Sequence, residues 1–176
     1  MNMKLEDRLL PIARRWHGVI PTWEARNAGI DDSQLRHWAL GNPDVDHPER
    51  GIYVWWTDDE GVDYEYTHLA QTLASAGEGA TLWGPTVVEL HGLGAWASPV
   101  THIATYVRKR PKEGVRWHHD TGYRRETAAG LPAQGLNDAL AASLPFMDDD
   151  KRQAALADAV ERNILTKEHA DELLRS

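Results

Sequence analysis

The stretch that decides the fold of the first part is residues 16–41, WHGVIPTWEARNAGIDDSQLRHWALG. Gly18, Gly29 and Gly41 divide it, each following a run that suits a helix. Thr22 has N-cap chemistry, so Trp23–Ala28 reads as a short helix stopped by Gly29. Asp31 or Asp32 caps a third helix that runs to about Leu40, and Gly41-Asn42-Pro43 stops it. On this helix Leu35, Trp38 and Ala39 share one face. Ser33, Gln34, Arg36 and His37 lie around the other, and all four are side chains that reach base edges or phosphates.

Upstream, Leu5, Leu9, Ile12, Ala13 and Trp16 recur at steps of four, three and four, a helical stripe. His17-Gly18 ends that helix, with the glycine as cap, and Val19-Ile20 is a short apolar link. Downstream, Asp44–Arg50 is polar and turn-rich, and Gly51–Trp56 is a strand by composition. Helix, short helix, tight turn, helix, loop and strand is the order of a winged helix-turn-helix. In that motif the third helix enters the major groove and the loop before the strand forms a wing. Trp16, Trp23 and Trp38 fall where such a core packs. Trp55-Trp56 in a strand turns one ring inward and one outward.

The acidic turn-rich stretch 57–67 marks the expected boundary, giving domains at 1–57 and 66–176. Beyond it, helices are predicted at His68–Ala76, Pro85–His91, Gly135–Ser143, Asp150–Asn163 and Thr166–Arg175. Strands are predicted at His102–Val107 and Val115–His119, joined as a hairpin by the basic turn Arg108–Gly114. The expected fold class is therefore α+β and mostly helical. A winged helix-turn-helix precedes a small mixed helix/hairpin domain with a helical C-terminal end.

The 176 residues suit one ordinary domain or two small ones, with enough chain for a core. The absence of cysteine excludes disulfides, thiolate zinc sites, a thiol nucleophile and iron–sulfur clusters. No run approaches 18 apolar residues and no signal-peptide pattern is visible, so a cytoplasmic protein away from membranes is expected. The net charge of −8 is unevenly spread: residues 100–125 carry +5, and residues 58–99 carry −7. An acidic protein reaches nucleic acid only through a local basic face. Arg108, Lys109, Arg110, Lys112 and Arg116, beside His102 and His119, form the one strongly basic segment. They read either as a solvated turn or as a patch for DNA phosphates or an acidic partner.

Phosphate-loop, dinucleotide, zincin and nucleophile-elbow motifs are all missing, so no enzyme and no cofactor are expected. His118-His119-Asp120 is the densest metal-capable cluster, but adjacent strand residues face opposite ways, so no metal is expected there. His91 and His102 are further histidines that only the fold can place. Asp148-Asp149-Asp150 precedes a helix and reads as its cap.

His17–Thr22 followed by Ala25–Ile30, then Leu35-Arg36 and Arg50–Tyr53, resembles the opening of the AbiEi-type antitoxins. Leu90–Leu93, His102–Val107 with its basic turn, and Gly130-Leu131-Pro132 with the helices to Leu174 resemble the rest of that family. The resemblance covers nearly the whole chain and rests on the order and spacing of common motifs. It implies an antitoxin of a type IV, abortive-infection system. Its winged helix would bind promoter DNA, and its C-terminal domain would oppose a nucleotidyltransferase-like toxin. Carried over by position, Thr22, Arg26, Ser33, Gln34, Arg36, His37 and Arg50 would face DNA. The expected wing departs from the family in carrying Asp44, Asp46 and Glu49. The alternatives are a protein-interaction scaffold whose winged helix no longer binds DNA, and a nucleic-acid-processing enzyme using groups around 102–125.

Overall fold

The computed structural model describes residues 3–119 and 122–176 and is α+β, with two sheets. The chain divides into two compact units, the first ending at Gly79 and the second spanning Ala80–Ser176.

The first unit runs α1 (Leu5–Arg15), β1 (Val19–Pro21), α2 (Thr22–Asn27), α3 (Asp32–Leu40), β2 (Val45–Glu49), β3 (Ile52–Trp55) and α4 (Thr67–Ser75). The stripe on α1 buries Leu9, Ile12, Ala13 and the following Trp16, while Leu5 stays half-exposed. The left-handed residue that ends α1 is His17 (φ 54°), with Gly18 (φ 88°) next. The Gly18 N–H donates to Ala13 O at 2.8 Å, closing the helix as a Schellman-type cap. The apolar link Val19-Ile20 is a strand: β1 pairs antiparallel with β3, which also pairs with β2, giving the order β1-β3-β2.

Thr22 is not a cap. It lies inside α2, and both its N–H and its hydroxyl donate to Gly51 O, at 2.9 and 2.8 Å. Asp31 caps α3 in a reciprocal box with Gln34. Residues 44–50 are more ordered than a loop. β2 and β3 form a hairpin whose two-residue turn is Arg50-Gly51, and Gly51 at φ 80° supplies the conformation the turn requires. One extra residue is accommodated between Asp46 and Glu49, where His47 and Pro48 stand against Tyr53 alone. Trp55 is buried and Trp56 is exposed, as the alternation predicts.

The segment from Thr57 to Tyr66 is no linker. Arg14 holds Asp59 through two hydrogen bonds (3.0 and 2.9 Å), and His17 Nδ1 lies 2.7 Å from Asp63 O. The Thr67 hydroxyl donates to His17 O at 2.6 Å. These bonds lay α4 against β1 and β3. The division between units therefore falls after Gly79, and α4 closes the first unit where the sequence had it opening the second.

The second unit contains β4 (Thr81–Leu82), α5 (Pro85–Leu90), β5 (Thr101–Ala104), β6 (Val115–His118), β7 (Arg125–Ala128), β8 (Leu131–Gln134), α6 (Leu136–Ser143), α7 (Asp149–Glu161) and α8 (Lys167–Arg175). The sheet order is β6-β5-β4-β8-β7. The expected hairpin between the two strands at 101–118 does not form, because β5 and β6 are parallel. The reason is local. Lys112 bridges Val115, and the Val115 N–H donates to Lys112 O at 3.2 Å, so the chain reverses just before β6 and enters it in the direction of β5. The tight hairpin of this unit is β7–β8, through Ala129-Gly130, both at positive φ. Its strands carry little hydrophobic alternation, so the sequence does not announce them. Asp148 caps α7 (Lys151 N–H to Oδ1, 2.9 Å), and Thr166 caps α8. Among the described residues no helix is long and apolar enough to cross a membrane.

Candidate nucleic-acid interface

α3 presents its outer face because Leu35 is fully buried and Trp38 packs edge-on against Trp55, with ring centroids 5.2 Å apart. Ser33, Gln34, Arg36 and His37 are exposed. Between α3 and the β2–β3 hairpin lies a groove of about 650 Å³. Thr22, Arg26, Arg36 and Arg50 line it, together with Asp32, Leu40, His47 and Tyr53. Four of the seven expected DNA-facing residues thus share one groove. Ser33, Gln34 and His37 do not line it. His37 borders a second, more acidic hollow beside Glu6, Asp44 and Asp58.

The seven residues differ in what already holds them. Thr22 is spent on Gly51 O and Gln34 on the capping box. Arg26 is clamped by Asp32 through two bonds of 2.8 and 3.2 Å. That contact holds the Asp32 carboxyl below its ordinary range and raises Arg26 further. Arg36, on the open face of α3, and Arg50, at the hairpin turn, are exposed cations of the groove. Two acids of the β2–β3 hairpin have structural partners: Asp46 accepts from Trp56 Nε1 at 2.7 Å, and Glu49 accepts from Gln71 at 3.4 Å. Sequence reasoning missed Leu40. It ends α3 with 79% of its surface exposed and lines the groove beside Arg36. Its apolar character at a helix end was the available signal.

In the second unit, Arg108, Arg110, Lys112 and Arg116 are exposed and Lys109 is half-buried. The parallel register sets His102 opposite Arg116, so His118 is the diagonal neighbour on the same face. His102 Nδ1 lies 2.9 Å from His118 Nε2, and His102 Nε2 lies 3.1 Å from the Ser98 hydroxyl. Trp83 stacks on His118 (centroids 3.6 Å) and Phe146 meets His102 edge-on. Burial, then the positive charges of His118 and Arg116, hold the His102 imidazole down at about 4. This pair escaped the sequence reading because an antiparallel hairpin would have matched other residues. His119 turns away, its Nδ1 3.1 Å from Thr105 O. Asp120 lies outside the described residues. Among the described residues no three His, Asp or Glu groups converge as metal ligands.

No protein-family model matches the chain, and no curated protein matches it in sequence.

Proposed function

We propose that the protein is an antitoxin-like transcriptional regulator. In this reading the first unit is a winged helix-turn-helix that binds the protein's own promoter DNA, α3 is the recognition helix, and the β2–β3 hairpin is the wing. The observation that carries the reading is the groove where Arg26, Arg36 and Arg50 converge between that helix and that hairpin. Arg36 faces base edges or phosphates from α3, Arg50 grips the backbone from the hairpin turn, and exposed Leu40 offers an apolar contact of the kind a thymine methyl accepts. The toxin-opposing role of the second unit, against a nucleotidyltransferase-like toxin, rests on the family resemblance alone. The test is an anisotropy titration on the upstream region. Arg36→Ala should weaken binding by roughly 1–3 kcal/mol if a specific contact is lost. Unchanged affinity would remove α3 from the recognition role.

A second reading has an observation of its own. Asp32, Asp46 and Glu49 stand on α3 or the hairpin, with Asp44 in the turn just before β2, and carboxylates repel phosphates. They favour a protein-interaction module built on the same scaffold. Failure of the wild-type protein to bind its upstream DNA at low salt would select that reading.

A further inference from the structure

The basic residues of the connection between β5 and β6 form a stripe. The chain leaves β5 at Thr105 and comes back to the start of β5, where the Thr101 N–H donates to Gly114 O at 2.9 Å. On the way it passes along β6, the edge strand: Trp117 Nε1 donates to Arg110 O at 2.9 Å, and Lys112 bridges Val115. Arg108, Lys109, Arg110 and Lys112 are therefore strung beside the edge strand; Arg116, exposed on β6, turns to the other face of the sheet, its guanidinium 5.0 Å from the Phe146 ring centroid. Glu113 is the one carboxylate within the stripe. At the end where the stripe begins stands Tyr106, 53% exposed. Arg125 fixes its ring, with the guanidinium 4.9 Å from the ring centroid and Nη2 donating to the phenol oxygen at 2.6 Å.

We infer that this stripe, with Tyr106 at its head, is a binding surface for single-stranded nucleic acid. A row of cations tracks a phosphate backbone, and a ring held by Arg125 on one side and half-exposed otherwise gives an unpaired base a platform to stack on. A duplex keeps its base faces inside the stack and has no use for the ring. An acidic protein partner would use the cations but not the ring. The inference does not depend on the first unit's role. Single-stranded RNA and DNA share the chemistry, and the test separates them.

The experiment uses the full chain and fluorescein-labelled dT15 and U15, followed by anisotropy at several salt concentrations. Both strands should bind, with log K falling against log salt at a slope of about −3 for four contacts. Tyr106→Ala should weaken binding roughly 5- to 100-fold, and Tyr106→Trp should restore it. Replacing Arg108, Lys109, Arg110 and Lys112 by Ala should flatten the slope. Arg36→Ala should leave single-strand binding unchanged, whatever it does to duplex binding. Tighter binding of U15 assigns the surface to RNA and of dT15 to DNA, and either supports the inference. Three results overturn it: neither strand binds; an unlabelled 15-base-pair duplex displaces the strand as well as unlabelled single strand does; or Tyr106→Ala, with circular dichroism unchanged, binds as tightly as wild type.

Discussion

His102 Nδ1 and His118 Nε2 face each other at 2.9 Å across two parallel strands, under the ring of Trp83. A hydrogen bond joins the two rings in a buried setting, and charging His102 there would place a cation out of water, beside His118 and Arg116. Burial first, and then the neighbouring His118 and Arg116, hold the His102 imidazole at about 4, against 6.5 in an unfolded chain. The sign follows. Above pH 6.5 both states are neutral and His102 contributes nothing to pH dependence. As pH falls from 6.5 to 4 the unfolded chain takes the proton first, so stability is lost through that window, by at most about 3 kcal/mol. His91, pushed down by burial, acts in the same direction. Urea unfolding at pH 7.5 and pH 5 should show a lower midpoint at pH 5, and His102→Gln should shrink the difference. An equal difference in both proteins would clear His102 of the effect.

The same pair is expected not to hold zinc. Nitrogens bound to one tetrahedral zinc at about 2.0–2.1 Å stand roughly 3.4 Å apart, whereas these share a hydrogen bond. Ser98 occupies the far side of His102. Elemental analysis of chelator-treated protein should find no stoichiometric transition metal. One zinc per chain that disappears in a His102→Ala, His118→Ala double variant would refute this.

Gly18 is a stability prediction of a different kind. It sits at φ 88°, and a Cβ there would come 2.6 Å from Tyr64 Cε1 and 3.2 Å from Trp55 O. The Tyr64 ring cannot retreat freely, because its hydroxyl lies 2.7 Å from Thr57 O and 3.1 Å from Trp55 O. Gly18→Ala therefore meets both backbone strain and a clash. It should cost about 2–4 kcal/mol in urea unfolding. A loss under 0.5 kcal/mol would mean that the turn relaxes.

Local signals were legible where local chemistry decides. The α1 stripe, a cap at Asp31 or Asp32, a cap within Asp148–Asp150, and the inward and outward turns of Trp55 and Trp56 follow from spacing and side-chain type alone; the structure selects Asp31 and Asp148. What was not legible depends on pairing over distance. A ten-residue connection looks like a hairpin loop, and only the Lys112–Val115 reversal makes β5 and β6 parallel. β4 has two residues, and β7 has three exposed positions in four, so neither carries an alternation to read. The compact units divide after Gly79 and not in the acidic stretch for a similar reason. The acidic stretch reads as solvated until Arg14 is seen to pair with Asp59. At the groove, residue types identified Arg26, Arg36 and Arg50. That Asp32 occupies Arg26 is a fact of geometry, since the two stand six apart across the turn between α2 and α3.

That contact carries the last prediction. Asp32 does two things in the groove: it adds a carboxylate to its lining, and it holds the Arg26 guanidinium through Nε and Nη2. Both partners are more than half exposed, so the pair adds little to stability. Asp31, not Asp32, caps α3, so the helix keeps its cap when Asp32 changes. Asp32→Asn should therefore leave urea unfolding within about 0.5 kcal/mol of wild type. If the groove binds DNA, the same change should tighten duplex binding several-fold at low salt. It should also steepen the slope of log K against log salt by about 0.9, the signature of one further phosphate contact made by the released Arg26. Combining Asp32→Asn with Arg26→Ala should return the slope to the wild-type value. Asp32→Asn with an unaltered slope would place DNA away from this groove. Tighter binding that survives Arg26→Ala would mean the carboxylate acted by repulsion alone.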